Sequence, residues 1–218
     1  MKQMLRIILF PLKVVGFVAL PFLILIRGSV YLYEYQAMMP WTCLGICSGV
    51  VFMLLVVYLG FLSRKILGKS KKKQSLKGKV FMAGLLLLVY GGYTLLYVSG
   101  TNTQSEEVRS EYLSLHPFLR MAVSTFVLMD ADMIVTDLSR TREDYQHMGL
   151  TTLNNSLHYM QADGYVYAVD LRTHGRSELR NNLLQVYFKL MGFNTLRHVG
   201  TGDHLHVSLM IHENPSAI

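Results

Sequence analysis

The sequence predicts two regions of different class: an all-α membrane segment of about three helices over residues 1–99, and beyond it a small α+β domain whose helices accompany an antiparallel sheet. Three observations support the division. Long uncharged apolar runs are confined to the first hundred positions, short strand-like and helix-like segments alternate over the remainder, and all eight histidines fall after residue 100. A membrane anchor has little use for imidazole, which is polar and titrates near neutral pH, so the histidines place the chemistry in the second region.

Three apolar stretches, residues 14–33, 39–62 and 80–99, approach the roughly 20 residues an α-helix needs to cross the hydrocarbon core. In the first, Lys13 and Arg27 bracket the apolar run and Pro21 interrupts it; it spans by snorkelling those ends, with Tyr31 and Tyr33 at the interface. No small-x-small pattern follows the run, which argues against a cleaved leader. Between the second and third stretches, residues 63–79 carry Arg64, Lys65, Lys69, Lys71, Lys72, Lys73, Lys77 and Lys79 and no acid. A short, purely basic loop belongs on the cytoplasmic side, so the third span delivers residues 100–218 to the opposite side; Lys2 and Arg6 favour a cytoplasmic start and hence three crossings.

That loop accounts for the formal charge of +7, whereas residues 100–218 hold nine Lys or Arg against thirteen Asp or Glu. A net-acidic region is no phosphate-binding surface, so nucleic acid is not an expected partner; the partner of the basic loop is the adjacent anionic lipid. Cys43 and Cys47 lie four apart in an apolar run, on one side of a helix at lipid depth, where they serve as small packing residues and not as a metal or redox pair.

After a polar stretch at 100–107, which opens a linker reaching to about 114, the domain over residues 115–218 reads as follows. A helix runs from about Pro117 to Met129, then a strand over 133–136, then a short helix opened by a Thr141 cap and Glu143. A strand follows at 165–171, a helix at 177–190 ended by Gly192, and two strands at 195–198 and 205–211.

Two short motifs supply a His, a carboxylate and a His: Ser156-Leu157-His158-Tyr159 leading into Ala168-Val169-Asp170-Leu171, and Asp203-His204-Leu205-His206-Val207. This mixed set suits a zinc ion that keeps one coordination position open for water. His204 and His206 are two apart, so an extended chain puts both rings on one face while Leu205, Val207 and Leu209 bury the other. Asp203 and His206 differ by three and cannot share a face of a regular strand, so Asp203 sits at the strand's entry, after Gly200-Thr201-Gly202. His116, His147, His174, His198 and His212 have no such companions and read as surface or packing residues.

These segments resemble the LAS superfamily of zinc proteins: D-Ala-D-Ala carboxypeptidases and dipeptidases, peptidoglycan endopeptidases and the hedgehog signalling domain. Its pattern runs Ser-x-His-x-x-Gly-x-Ala-x-Asp, followed later by a His-x-His segment with an acidic residue shortly before it. The resemblance covers about Leu115 to Leu209 and implies His158, Asp170 and His206 as zinc ligands, His204 as a histidine beside the metal, and Asp203 as general base. Thr136-Asp137-Leu138-Ser139-Arg140-Thr141 is similar to the family's Ser-x-x-Arg segment, and implies that Arg140 binds a substrate carbonyl or carboxylate. The family separates the first His and the Asp by seven positions, whereas His158 and Asp170 are twelve apart. A five-residue insertion at 160–164 reconciles the two; Asp163, which stands seven before Asp170, leaves a ligand set without His158 as the alternative.

The expectation is a membrane-anchored zinc metallopeptidase, multi-pass in a bacterial cytoplasmic membrane, hydrolysing peptidoglycan stem peptides on the outer side. In it Asp203 takes a proton from water and Arg140 stabilises charge on the carbonyl oxygen. The alternative is a catalytically silent zinc domain that binds cell-wall peptide or a protein partner.

Overall fold

The structure is a computed structural model that describes residues 16–67, with backbone only for 65–67, and residues 75–147, 149, 156–200 and 202–209. Residues 68–74 of the basic loop, with Lys69 and Lys71 to Lys73, lie outside the described residues, as do His212 and the end of the last expected strand. The chain divides into two compact units, residues 1–89 and 90–218.

In the first unit, helix α1 covers Gly16–Gln36 and α2 covers Pro40–Leu67; α3, Leu76–Leu96, begins there and ends in the second unit. All three are long and apolar enough to cross a membrane. Pro21 has no N–H to continue the helical ladder, and the backbone two residues later winds as a π-turn over Leu23–Arg27 before returning to α-helix. The helix ends at Ala37, whose φ of 49° is left-handed. Cys43 and Cys47 are buried and free. A Cβ added at Gly28 of α1 would stand 3.1 Å from Cys47 Sγ, so the glycine permits the close crossing of α1 and α2. Phe17 stacks on Tyr58 from the same two helices, ring centroids 3.5 Å apart. The cysteines therefore pack, as expected.

The second unit is α+β. Its elements are a 3₁₀ turn at Gly100–Asn102, α4 at Glu106–Ser110, a 3₁₀ turn at Glu111–Ser114, α5 at Pro117–Met129, β1 at Val135–Asp137 and α6 at Arg142–His147; β2 at Ala168–Arg172, α7 at Glu178–Met191, β3 at Asn194–His198 and β4 at His204–Ser208 follow. The four strands form an antiparallel sheet in the order β1-β2-β4-β3. Val169, Leu171, Leu205 and Val207 make its apolar face and are fully buried, as are Phe118 and Leu119 of α5 and Leu184 and Phe188 of α7. Phe126 of α5 meets Phe188 with ring centroids 6.2 Å apart, and the Tyr187 hydroxyl donates to the Ala122 carbonyl at 2.9 Å, which joins the two helices.

The caps explain the helix boundaries. Ser177 accepts from the Arg180 N–H, and Gly192 closes α7 at φ 100°. Pro117 opens α5 behind His116, whose Nδ1 accepts from the Phe118 N–H at 3.3 Å. At α6, Thr141 caps as expected, but its partner is Asp144: the Asp144 carboxylate accepts from the Thr141 N–H at 2.7 Å, and Thr141 Oγ1 accepts from the Asp144 N–H at 3.3 Å.

One expectation is corrected here. Residues 100–114, expected as a linker, are folded into the domain, because their polar groups satisfy buried backbone. Asn102 is buried and its amide donates to the carbonyls of Ala131 at 2.7 Å and Met133 at 2.9 Å; the Gln104 N–H donates to Val135 at 2.8 Å. The end of α3 is held likewise: Arg120 donates to the Leu95 carbonyl at 2.8 Å in the last turn, and further back the Tyr90 hydroxyl lies 2.5 Å from Thr125 Oγ1.

Candidate metal centre

The site grows out of strand register. β2 and β4 pair so that Asp170 stands directly opposite His206 and Arg172 opposite His204. Because side chains alternate along each strand, this one pairing gathers Asp170, Arg172, His204 and His206 on the face away from α5 and α7.

His158 arrives from the chain before β2. Its N–H donates to Ser156 Oγ at 3.2 Å, its carbonyl accepts from the Arg140 N–H at 2.9 Å, and the ring Nδ1 lies 2.7 Å from the Leu138 carbonyl. A carbonyl only accepts, so Nδ1 donates to it and Nε2 is the nitrogen directed inward, the arrangement by which a protein presents a metal-ligating imidazole. The long spacing to Asp170 is taken up by a tight turn. The Gln161 N–H donates to the Tyr165 carbonyl at 2.9 Å, the Gly164 N–H donates to Gln161 at 2.8 Å with Gly164 at φ 79°, and the Tyr167 N–H donates to Leu157 at 2.9 Å. Residues 157 to 167 thus fold back on themselves and return the chain to β2; residues 165–167, expected in that strand, precede it, with Val166 bridged to Leu115. Asp163, the alternative ligand, accepts from the Tyr167 hydroxyl at 2.7 Å and the Tyr165 N–H at 3.2 Å and serves the turn.

His158 Nε2, His206 Nδ1 and Asp170 Oδ1 form a small triangle: 3.2 Å between the two nitrogens, 2.9 Å from His206 and 3.5 Å from His158 to the carboxylate oxygen. Ligand atoms about 2.0–2.1 Å from a tetrahedral ion lie about 3.3 Å from one another, so the triangle has the size of one tetrahedral face. His158, Asp170 and His206 therefore could hold a metal ion as they stand.

The second oxygen of Asp170 belongs to Arg140, whose Nη2 is 2.6 Å away while its Nε is 2.6 Å from Asp137. Asp137 and Asp170 are cross-strand partners. Two carboxylates so placed repel, and the guanidinium bridges them while resting over the Tyr145 ring at 5.4 Å. Burial works against the charge on Arg140, but the two carboxylates overcome it and hold it protonated. Burial likewise works against charge on Asp170, and the hydrogen bonds of His158 and His206 overcome it, holding the carboxyl well below its ordinary range.

Beside the triangle, His204 Nε2 is 3.7 Å from Asp170 Oδ2, and its Nδ1 donates to the Gly202 carbonyl. A cleft of about 410 Å³ opens here, lined among others by Asp170, Arg140, His204 and Asp203. Asp203 precedes the first residue of β4, as the spacing predicts. Its Oδ1 accepts from the Thr173 hydroxyl at 2.5 Å, and its Oδ2 lies 3.6 Å from Arg197, which is also paired with Glu178 at 2.7 Å. The Thr173 hydrogen bond, with help from Arg197, lowers the Asp203 carboxyl.

Three members of this neighbourhood escape a reading of the sequence. Asp137 carries a signal, an acid three before Arg140, but its partner Asp170 depends on sheet register. His198 stacks on His204 with ring centroids 4.7 Å apart, and the short connection between β3 and β4 could have revealed it, since a hairpin of that length puts the two residues opposite each other. Thr173 gives no local signal. His116, by contrast, is a packing residue, as expected, and is buried between Phe118 and Tyr167. Comparison of the chain with protein-family models, with curated proteins and with solved structures finds no match.

Proposed function

We propose that this protein is a membrane-anchored zinc peptidase that hydrolyses peptidoglycan stem peptides outside a bacterial cytoplasmic membrane. The observation that carries the reading is the triangle of His158, Asp170 and His206, sized for a tetrahedral ion and set beside a cleft that Asp170 lines. A zinc ion held there would lower the pKa of a water molecule toward about 7 and polarise a peptide carbonyl.

The chain's own residues then have separate tasks. Leu138 fixes the His158 ring, and Arg140 fixes Asp170 through Nη2 while its Nε holds Asp137; contact with a substrate oxygen falls to the rest of the guanidinium. Asp203, oriented by Thr173 at the strand entry, receives the proton of the attacking water and passes it to the leaving amine. His204 stands next to Asp170 as the other group able to move a proton. The basic stretch at 63–79 on the cytoplasmic side puts residues 100–218 on the other, where cell-wall peptides are found.

One observation favours a second reading, a zinc domain that binds without cleaving: the Asp203 carboxylate is already engaged by Thr173 and Arg197, which weakens it as a base. Metal analysis of the full-length protein in detergent, combined with digestion of purified peptidoglycan and mass analysis of the products, decides between them. One zinc per chain with released peptide or amino acid is the expected result. Zinc without products selects the binding domain, iron in place of zinc redirects the chemistry away from hydrolysis, and no metal sinks both readings.

A further inference from the structure

We propose that Arg172, oriented by Gln104, is an anion subsite that receives the free C-terminal carboxylate of the peptide, so that the protein removes residues from a chain end and does not cut within a chain. The inference rests on the peptidase reading and concerns which peptides that site accepts.

Every carboxylate of the cleft already has a partner. Asp137 and Asp170 share Arg140, and Asp203 is held by Thr173 and Arg197. Arg172 lines the same cleft and has no acidic partner: its Nη2 donates to the neutral side-chain amide of Gln104 at 3.3 Å, and it forms no ion pair among the described residues. Arg172 is partly exposed, and a guanidinium that lacks a carboxylate in a cleft crowded with them is a site for a carboxylate supplied from outside, because its planar fork matches that group with two parallel hydrogen bonds. Gln104, whose N–H is tied to Val135 of β1, limits where the guanidinium can swing and acts as a positioning residue.

The distance fits a one-residue overhang. Arg172 is two residues along β2 from Asp170 and on the same face, about 6.6 Å away along the strand. In a peptide cut before its last residue, the terminal carboxylate carbon is three bonds beyond the scissile carbonyl carbon, at most about 4.3 Å. With the scissile carbonyl at the His158–Asp170–His206 triangle, a one-residue overhang brings its carboxylate within reach of the Arg172 side chain. Hydrolysis adds water across the C–N bond, leaving a new carboxylate on the shortened peptide and a free amine on the released residue. The charges agree as well: three carboxylates face Arg140 and Arg172 in the cleft, and a divalent cation in the triangle turns that balance positive, so an anionic end is attracted to the loaded site.

The test uses the full-length protein in detergent, loaded with zinc, and two probes: diacetyl-lysyl-D-alanyl-D-alanine and its C-terminal amide. Calorimetric binding at low temperature gives the ratio of their affinities without depending on turnover. The expected ratio favours the acid by about 10- to 100-fold, the size of a charge-assisted pair. Arg172→Gln brings it to near unity with zinc content unchanged, and Arg172→Lys recovers part of it. Where cleavage is observed, Arg172→Gln raises KM for the acid more than it lowers kcat. Equal affinity of the unmutated protein for acid and amide, failure to bind either, or an undiminished ratio in Arg172→Gln overturns the proposal. If the acid preference depends on Arg172 but neither probe nor peptidoglycan is ever cleaved, the subsite stands and the peptidase reading falls.

Discussion

Replacing Arg140 by glutamine removes the cation that Asp137 and Asp170 share, and the cost follows from where each carboxylate stands. The Asp170 side chain is 3% exposed and Asp137 is 22% exposed, with Arg140 itself at 15%. Asp137 can recover water when the guanidinium leaves, so it contributes little; Asp170 cannot, and is left charged against an opposing carboxylate. Breaking a buried pair by removing one partner costs about 3–5 kcal/mol, and with Asp137 partly rehydrated the lower end applies, about 3 kcal/mol. The loss falls on β2 and β4, whose register holds the site. Hydrogen exchange of the full-length protein, without zinc and under conditions where reclosing outpaces exchange, reads it as about a hundredfold faster exchange at Val169, Leu171, Leu205 and Val207. On the proposed zinc reading, saturating zinc gives Asp170 a new cation and narrows the gap between variant and unmutated protein. Arg140→Lys recovers part of the protection, because a single ammonium cannot bridge both carboxylates as the fork does. A change under about threefold in Arg140→Gln without zinc would refute the view that Arg140 neutralises a buried carboxylate.

Other outcomes separate the remaining roles. Asp203→Ala keeps zinc and lowers turnover at least about a hundredfold, as loss of a positioned base does, whereas His206→Ala loses both metal and turnover; metal analysis beside a cleavage assay distinguishes them, and near-normal turnover in Asp203→Ala transfers the proton to His204. Burial, with Arg120 nearby, lowers His116 from 6.5 to about 3. The unfolded chain therefore binds a proton that the folded one refuses, so stability is fully present above pH 6.5 and falls as pH drops toward 3, by up to about 1.4 kcal/mol per unit. Exchange at α5 amides in His116→Asn, which keeps a capping side chain, should lose that slope. Alkaline phosphatase fused at the C-terminus should be active and a fusion near Lys72 silent; the reverse pattern removes peptidoglycan as substrate.

The features legible in the sequence are those written locally. Pro117, Ser177 and Gly192 mark helix ends by backbone chemistry that depends on no distant residue, and α5 and α7 begin and end where those residues stand. The alternation of His204, Leu205, His206 and Val207 announces a strand with one polar and one buried face, and β4 has both. Local polarity misleads at residues 100–114: Asn102 and Gln104 look like linker residues, yet they fold because the carbonyls of Ala131, Met133 and Val135 lie opposite them. Nothing near Asn102 in the sequence announces those acceptors. The bridge from Asp137 through Arg140 to Asp170 is invisible for the same reason, since it joins residues on two strands through a bulged pairing.

The register that hides those partners also explains why the site can be so compact. Asp170 and His206 are 2.9 Å apart because their residues are opposite each other in the β2–β4 pair, and His198 reaches His204 because theirs are opposite in β3–β4. A slip of one residue between β2 and β4 would turn one set of site residues toward α5 and α7 and set Val169 or Leu171 in the place of Asp170. The same slip would expose the fully buried Leu205 and Val207, so the apolar face penalises every register but the one that closes the triangle. Core burial and convergence of the triangle are thus a single constraint on β2 and β4. His158, which belongs to no strand, requires its own anchors, and it has them in Ser156, Arg140 and the Leu138 carbonyl. That difference in support makes His158 the member of the triangle whose placement depends most on the loop that carries it.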